Sequence, residues 1–285
     1  MTPAYKIFAY TILALLAFAA NSILTRLALI EGEAGPWAFT LIRILAGALI
    51  LALLIGPHKA LQEGSWKGAI ALLIYALFFS LAYLMLSTGT GALILFAAVQ
   101  FAMLGWGYAK GERLSHLQWV GFILAMAGLI YLLSPGLEAP PLIGSVLMIL
   151  AGFGWGAYSI IGKGAGNPSA QTAGNFIRAA LLITVVVIPV LLLYEEPNIS
   201  VKGWALALAS GAITSGLGYV IWYSALKGLS ATRAGLAQLS VPALAALGGV
   251  LFVSEPLTFR FVMACAIILC GVALSTLPRA KIKSP

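Results

Sequence analysis

Ten long apolar stretches follow one another along the chain, separated by short connections. A helix needs about 20 apolar residues to cross a hydrocarbon layer about 30 Å thick, and each stretch comes close to that length. Apolar residues make up 62% of the sequence and charged residues 8%, against about 45–50% and about 25% in soluble domains. We therefore predict an all-α integral membrane protein with ten transmembrane helices. The predicted spans are residues 7–27, 37–55, 66–86, 89–108, 117–133, 143–161, 172–194, 204–226, 232–253 and 261–277.

The second half of the sequence repeats the pattern of the first. Glu112 precedes Gly128 by 16 residues, and Glu255 precedes Gly271 by the same number. We therefore predict two five-helix repeats, residues 1–135 and 136–285. Further matches pair Asn21-Ser22-Ile23-Leu24 with Tyr158-Ser159-Ile160-Ile161, Leu41-Ile42-Arg43 with Phe176-Ile177-Arg178, Tyr83 with Tyr219, and Trp66 with Trp204.

An odd number of spans in each repeat means that the second repeat enters the membrane from the opposite side. Inverted repeats of this kind are typical of secondary transporters, because two similar halves can pack in two nearly equal ways, each open to one side. The sequence therefore favours a transporter that works by alternating access.

The net charge of +8 reflects membrane orientation. With a cytoplasmic N-terminus, 11 of the 16 Lys and Arg residues fall inside, 3 outside and 2 within spans. Because cytoplasmic loops are enriched in Lys and Arg, we expect a multi-pass protein of the plasma (inner) membrane with both termini in the cytoplasm. No nucleic-acid partner is needed to explain the charge. The first span lacks a small-residue cleavage signature, and we expect it to be retained.

Two turns carry a family resemblance. Gly-Glu-Arg-Leu-Ser at 111–115 precedes an apolar helix ending in Gly, and Ser-Glu-Pro-Leu-Thr at 254–258 echoes it. With the ten-helix plan and the repeat, these motifs resemble the drug/metabolite transporter superfamily in its EamA-type branch. Within it, the chain looks most like bacterial exporters of aromatic and neutral amino acids. The resemblance implies a central cavity formed by spans 1–4 and 6–9, with spans 5 and 10 peripheral, and amino acids as substrates.

Aromatic and polar side chains within the spans are the candidates for substrate contacts. Trp155 is the one tryptophan deep in a predicted span, with Tyr158 one turn away. Rings with a few hydroxyl and amide groups would suit an aromatic or apolar side chain. The alternative is ordinary helix packing and interhelical hydrogen bonding. The candidate substrate-binding residues are Trp155, Tyr158, Tyr83, Tyr219, Tyr75, Phe79, Asn21, Ser22, Gln100 and Gln238.

Two arginines lie within spans at equivalent positions of the repeats. Arg43 and Arg178 either attract a substrate carboxylate or form a gate at opposite mouths of the cavity, or they bind neighbouring backbone carbonyls. Pro242, followed by Gly248 and Gly249, is a candidate hinge in span 9, with a static kink as the alternative.

The sequence lacks residues that several classes of protein require. The sequence has no aspartate, and both histidines, His58 and His116, fall in predicted loops. We therefore expect no enzyme, no metal site, no cofactor and no proton relay through a mid-membrane carboxylate. The alternatives that remain are a carrier of sugar phosphates or nucleotide-sugars, a carrier of drug-like solutes, and a membrane channel or structural subunit. The oligomeric state is left open, since Gly121, Ala125 and Gly128 on span 5 would suit contacts within or between chains.

Overall fold

Helices account for nearly all of the described structure. A computed structural model describes residues 3–111, 114–162, 166–193, 199–229 and 237–276, and contains no strand within these ranges. We number the α-helices in chain order. They are α1 (Pro3–Ile30), α2 (Pro36–Ile55), α3 (Pro57–Gln62), α4 (Trp66–Tyr83), α5 (Thr88–Ala109), α6 (His116–Leu133), α7 (Leu142–Gly162), α8 (Pro168–Leu193), α9 (Val201–Leu208), α10 (Gly218–Leu226), α11 (Ser240–Val253) and α12 (Phe259–Thr276).

The helices confirm a multi-pass membrane protein. Within the described ranges, eight helical segments are long and apolar enough to cross a membrane. One of them is Val201–Leu226, formed by α9, α10 and the residues between them. The shorter apolar helices α11 and α12 make up the ten spans expected from the sequence. Residue 194 of predicted span 7, residues 232–236 of span 9 and residue 277 of span 10 lie outside the described residues.

Two local features differ from the sequence prediction. The connection containing His58 was expected to be a loop, but it forms the short helix α3. Gly56 adopts φ 91°, which a residue with a side chain avoids, and Pro57 then occupies the first helical position, where no N–H is needed. The second difference is a π-helix at Ala209–Leu217, between α9 and α10. Such segments widen a helix locally and often occur at functional sites.

Serine caps mark several helix starts. The hydroxyl of Ser65 accepts a hydrogen bond from the backbone N–H of Gly68 at the start of α4, and Ser200 does the same for Gly203 at the start of α9. Ser115 forms a reciprocal capping box with Gln118 at the start of α6. These bonds satisfy backbone N–H groups that have no partner within the first turn of a helix. An unsatisfied N–H group is costly in lipid.

Contacts between helices recur in corresponding pairs. α4 packs against α7, and α1 packs against the α9–α10 segment; α5 contacts α7, and α1 contacts α11. α2 packs against α8, α5 against α11, and α6 against α12. If the two predicted repeats are exchanged, each contact in the first two pairs becomes its counterpart. The other three contacts join equivalent helices and stay the same. α6 and α12 pack mainly on each other, so they lie at the periphery, as the resemblance implied.

Small residues bring α6 and α12 into close contact within one chain. A Cβ atom at Gly121 would lie 2.5 Å from the carbonyl oxygen of Gly271, and one at Gly128 would lie 2.8 Å from the Ile268 side chain. A Cβ at Gly271 would collide with the backbone of Ala125. The small residues of span 5 therefore serve packing inside the chain.

Gly271→Ala should lower the free energy of unfolding by about 1–3 kcal/mol, because its methyl group has no room between α6 and α12. Gly105→Ala is the matched control, since nothing lies within 4 Å of a Cβ at that helical position. Thermal melting of both purified variants in detergent measures the difference. Equal melting temperatures for the two variants would contradict the tight contact.

Two prolines lie at different positions in their helices, so the loss of the backbone N–H has a different cost at each. Pro242 is the third residue of α11, where a helix leaves its N–H groups without an internal acceptor. Pro189 instead lies inside α8, where a proline bends the helix. The hinge role of Pro242 stays a prediction.

Candidate functional site

A cavity in the bundle is lined by six of the ten predicted substrate-binding residues. It encloses about 360 Å³ between the atoms, including its opening. Most of the side chains around it are buried, including Asn21, Ser22 and Tyr75. The lining residues are Phe18, Asn21, Ser22, Tyr75, Phe79, Leu95, Phe96, Trp155, Thr214 and Tyr219.

Trp155 of α7 lies at the centre of an aromatic cluster. Its ring centroid is 4.9 Å from that of Tyr219 and 5.0 Å from that of Tyr75. It stacks on Tyr158 at 5.5 Å, with an angle of 21° between the ring planes, and meets the edge of Phe18 at 6.2 Å. Rings from α1, α4, α7 and α10 therefore converge on one tryptophan. The cluster offers faces and edges on which an apolar or aromatic group can pack.

Asn21 of α1 is the centre of a polar network beside these rings. Its amide nitrogen donates to the hydroxyl of Tyr75 at 3.2 Å. Its amide oxygen accepts from the hydroxyls of Ser210 at 2.7 Å and Thr214 at 3.0 Å, both in the π-helix. The network therefore joins α1, α4 and the π-helix. Its amide and hydroxyl groups can also form hydrogen bonds with the polar end of a solute.

Arg43 of α2 is a buried cation directly behind the cavity wall, with 1% of its surface exposed. Its Nη2 donates to the Tyr75 hydroxyl at 3.0 Å and its Nε to the Ser215 hydroxyl at 3.3 Å. The guanidinium carbon lies 5.2 Å from the ring centroid of Tyr75 and 5.1 Å from that of Phe79. Among the described residues, Nη1 has no hydrogen-bond partner and no carboxylate pairs with this arginine. One donor of a buried positive charge is therefore available.

Arg178 of α8 has different surroundings although it occupies the equivalent repeat position. Its Nη1 donates to the carbonyl oxygens of Glu63 at 2.5 Å and Gly174 at 3.0 Å, and its Nη2 to that of Leu61 at 3.3 Å. Glu63 and Leu61 lie at the C-terminal end of α3. A cation at this position satisfies free carbonyls and complements the helix dipole. Arg178 therefore holds α3 against α8 and does not line the central cavity.

The other four predicted substrate-binding residues are not part of the cavity lining. Tyr83 packs edge-on against Phe79 at 4.7 Å and donates to the carbonyl oxygen of Thr88. Tyr158 donates to the Thr172 hydroxyl at 3.1 Å. Gln100 and Gln238 are not among the lining residues.

Sequence reasoning missed the hydroxyl groups of the π-helix. Ser210 and Thr214 are four residues apart in a mostly apolar span. That spacing places them on one face of a helix, and small polar residues in mid-span were the signal available. Trp222, four residues before the end of α10, is also buried and contacts Phe18 at 5.7 Å.

Comparisons with known proteins match this architecture. A model of the EamA-like transporter family matches residues 142–277. An uncharacterized protein of Pseudomonas aeruginosa is 47% identical over 272 residues, which are 94% of each chain. The threonine/homoserine exporter RhtA of Salmonella typhimurium is 28% identical over 82% of this chain and 80% of its own. A solved crystal structure shares the fold, with a TM-score of 0.63 at 21% identity over 92% of this chain and 96% of the other.

Proposed function

The chain belongs to the EamA-like transporter family and is a multi-pass membrane transporter, not an enzyme; from this premise we propose that it exports neutral amino acids, aromatic ones included. The observation that supports this substrate class most directly is the composition of the central cavity. Aromatic rings around Trp155 lie next to the polar network of Asn21 and the buried cation of Arg43.

The cavity offers complementary groups to each part of an amino acid. The rings of Trp155, Tyr219 and Phe18 give an apolar surface for the side chain. The hydroxyls and amide of the Asn21 network are partners for the ammonium group. Arg43 has one free donor, Nη1, and a small movement of Tyr75 would bring a substrate carboxylate to the guanidinium. Ser22 and Phe79, which were also predicted as substrate-binding residues, line the same cavity, and we assign them to substrate binding as well.

Other solutes fit the cavity less well. A sugar phosphate or nucleotide-sugar carries two or more negative charges and needs several cations to replace its water. None of the described lining residues is charged, and Arg178 binds carbonyls elsewhere. One of the relatives in the comparisons is a threonine/homoserine exporter, which supports an amino acid. A drug-like solute stays the second candidate, because apolar rings dominate the lining.

Alternating access between two inverted repeats is the mechanism we propose. The paired helix contacts support it, since the contacts of α7 with α4 and α5 correspond to those of α1 with the α9–α10 segment and α11. No carboxylate or histidine is among the described lining residues, which favours a facilitator that follows the substrate gradient. Placement in the inner membrane with both termini in the cytoplasm belongs to the same proposal.

Entrance counterflow in proteoliposomes tests the substrate class. Vesicles loaded with unlabelled phenylalanine, threonine or a sugar phosphate are given labelled phenylalanine without an ion gradient. We expect saturable uptake with either amino acid inside and none with the sugar phosphate. Uptake no greater than in protein-free vesicles would reject neutral amino acids, and a linear dependence on concentration would point to a channel.

A further inference from the structure

A partly buried ion pair links parts of the bundle at the end where α1 ends and α12 begins, which we call the Glu255 end. Nε of Arg26, on the last turns of α1, lies 2.9 Å from Oε1 of Glu255, in the connection between α11 and α12. The two side chains are 11% and 12% exposed. Both side chains also bind backbone groups between the end of α4 and the start of α5. The pair therefore connects α1, the α11–α12 connection and the α4–α5 turn.

Each charge also completes a helix end. Nη1 of Arg26 donates to the carbonyl oxygens of Tyr83 at 2.7 Å and Leu84 at 3.3 Å, at the C-terminus of α4. Oε2 of Glu255 accepts from the backbone N–H of Thr88 at 2.7 Å, at the N-terminus of α5. The cation meets a negative helix end and the anion a positive one, so the helix dipoles stabilise both charges in these positions. This arrangement holds α4 and α5 together at the Glu255 end.

Two cavities lie near the pair. Ser22, which lines the central cavity, is one helical turn before Arg26 on α1. Glu255 itself lines a second cavity, which encloses about 290 Å³ including its opening. The side chain of Thr88 adjoins the pair, and its hydroxyl has no hydrogen-bond partner among the described residues although it is fully buried.

We propose that Arg26 and Glu255 form a second binding station for a zwitterionic substrate, which opens the Glu255 end by exchanging charges with the pair. The substrate carboxylate takes the place of Glu255 at Arg26, and the substrate ammonium takes the place of Arg26 at Glu255. The free hydroxyl of Thr88 gives one further hydrogen bond. This inference rests on the proposed function, since it assumes that the solute carries both charges of an amino acid.

The physical reason is the cost of separating buried charges. Pulling Arg26 from Glu255 without replacement leaves two charges unpaired in a poorly solvated place. A zwitterion supplies both replacements at once, whereas an amine or a carboxylate supplies one and leaves the other protein charge alone. Zwitterions should therefore open the end, and singly charged analogues of the same size should not.

Cysteine accessibility tests the station without depending on transport. Thr25→Cys, a fully buried position that lines neither cavity, is introduced into a Cys265→Ser, Cys270→Ser background, and an impermeant thiol reagent is applied to one side of oriented vesicles at a time. We expect Glu255→Gln to raise the rate of modification from the Glu255 end by about tenfold without substrate, because the ion pair is lost. Arg26→Gln should do the same. Lys202→Gln is the matched control, since it breaks the exposed pair of Lys202 with Glu31 at the same end.

Ligands then separate the station from a merely structural ion pair. In the protein with an intact pair, phenylalanine should speed modification from the Glu255 end, and neither phenethylamine nor 3-phenylpropionate should. In Glu255→Gln this difference between ligands should disappear. Unchanged modification in both pair variants, or equal effects of the three ligands, would overturn the proposal. If phenylalanine shows no counterflow, the substrate class fails, whereas the rates without substrate still report whether the pair closes the Glu255 end.

Discussion

Trp155→Ala will raise the dissociation constant for phenylalanine by about 10–100-fold and reduce counterflow accordingly. The indole makes four ring contacts in the cavity wall, and its removal takes away both apolar surface and the centre on which Tyr75, Tyr219 and Phe18 converge. Aromatic pairs contribute about 0.5–1.5 kcal/mol each beyond the area they bury, and about 1.4 kcal/mol corresponds to tenfold in affinity. Binding is measured by equilibrium scintillation proximity with labelled phenylalanine.

Two control variants show whether the effect belongs to the cavity. Trp155→Phe keeps a ring in place and should retain affinity within about threefold. Trp204→Ala removes a tryptophan that is 48% exposed at the start of a span, and should leave affinity unchanged. Melting temperatures of all three variants identify a loss of folding. Full affinity in a folded Trp155→Ala protein would exclude this tryptophan from the substrate site.

Arg43→Gln will weaken phenylalanine binding by about 10–100-fold, whereas Arg178→Gln will leave it within about twofold. A charge-assisted hydrogen bond contributes about 1.5–3 kcal/mol, and Arg43 is the buried cation with a free donor beside the cavity. Arg178 is fully engaged with carbonyls of α3 and α8. Its loss should instead lower the free energy of unfolding by about 0.3–2 kcal/mol, the range for cations at helix C-termini.

The paired arginine variants are compared with two ligands. Phenylalaninamide lacks the carboxylate, so its affinity should change little in Arg43→Gln if that arginine binds the carboxylate. An equal loss of affinity for phenylalanine and phenylalaninamide would mean that Arg43 acts by holding Tyr75 in place. An equal effect of the two arginine substitutions on affinity would contradict the distinction that their contacts make.

The two arginines also show where sequence reasoning stops. Arg43 and Arg178 occupy matching repeat positions, and sequence alone treats them alike. The structure distinguishes them because α3 lies beside Arg178 and supplies carbonyl acceptors, whereas Tyr75 and Ser215 lie beside Arg43. Neither set of partners is near in sequence. The helix α3 itself depends on a local detail, the positive φ of Gly56 before Pro57.

The central aromatic residues were predictable, and their polar partners were less so. Trp155, Tyr75 and Tyr219 stand out because large rings with polar atoms are unusual deep in a span. Ser210 and Thr214 are small and common in membrane helices, and their hydrogen bonds to Asn21 depend on how distant helices pack. The pairing of Arg26 with Glu255 was not predicted, since the two residues are 229 positions apart.

The sequence by itself determined that this is a helical membrane protein, how many spans it has and roughly where they lie. Those properties are local, because every span must satisfy its own backbone in lipid and present about 20 apolar residues to it. The tertiary structure alone decided which polar groups meet. Contacts such as that of Arg43 with Ser215, 172 positions apart, depend on how each helix is rotated and packed. A nearly uniform apolar surface leaves that rotation unspecified until the small residues, rings and hydrogen bonds of neighbouring helices fit together.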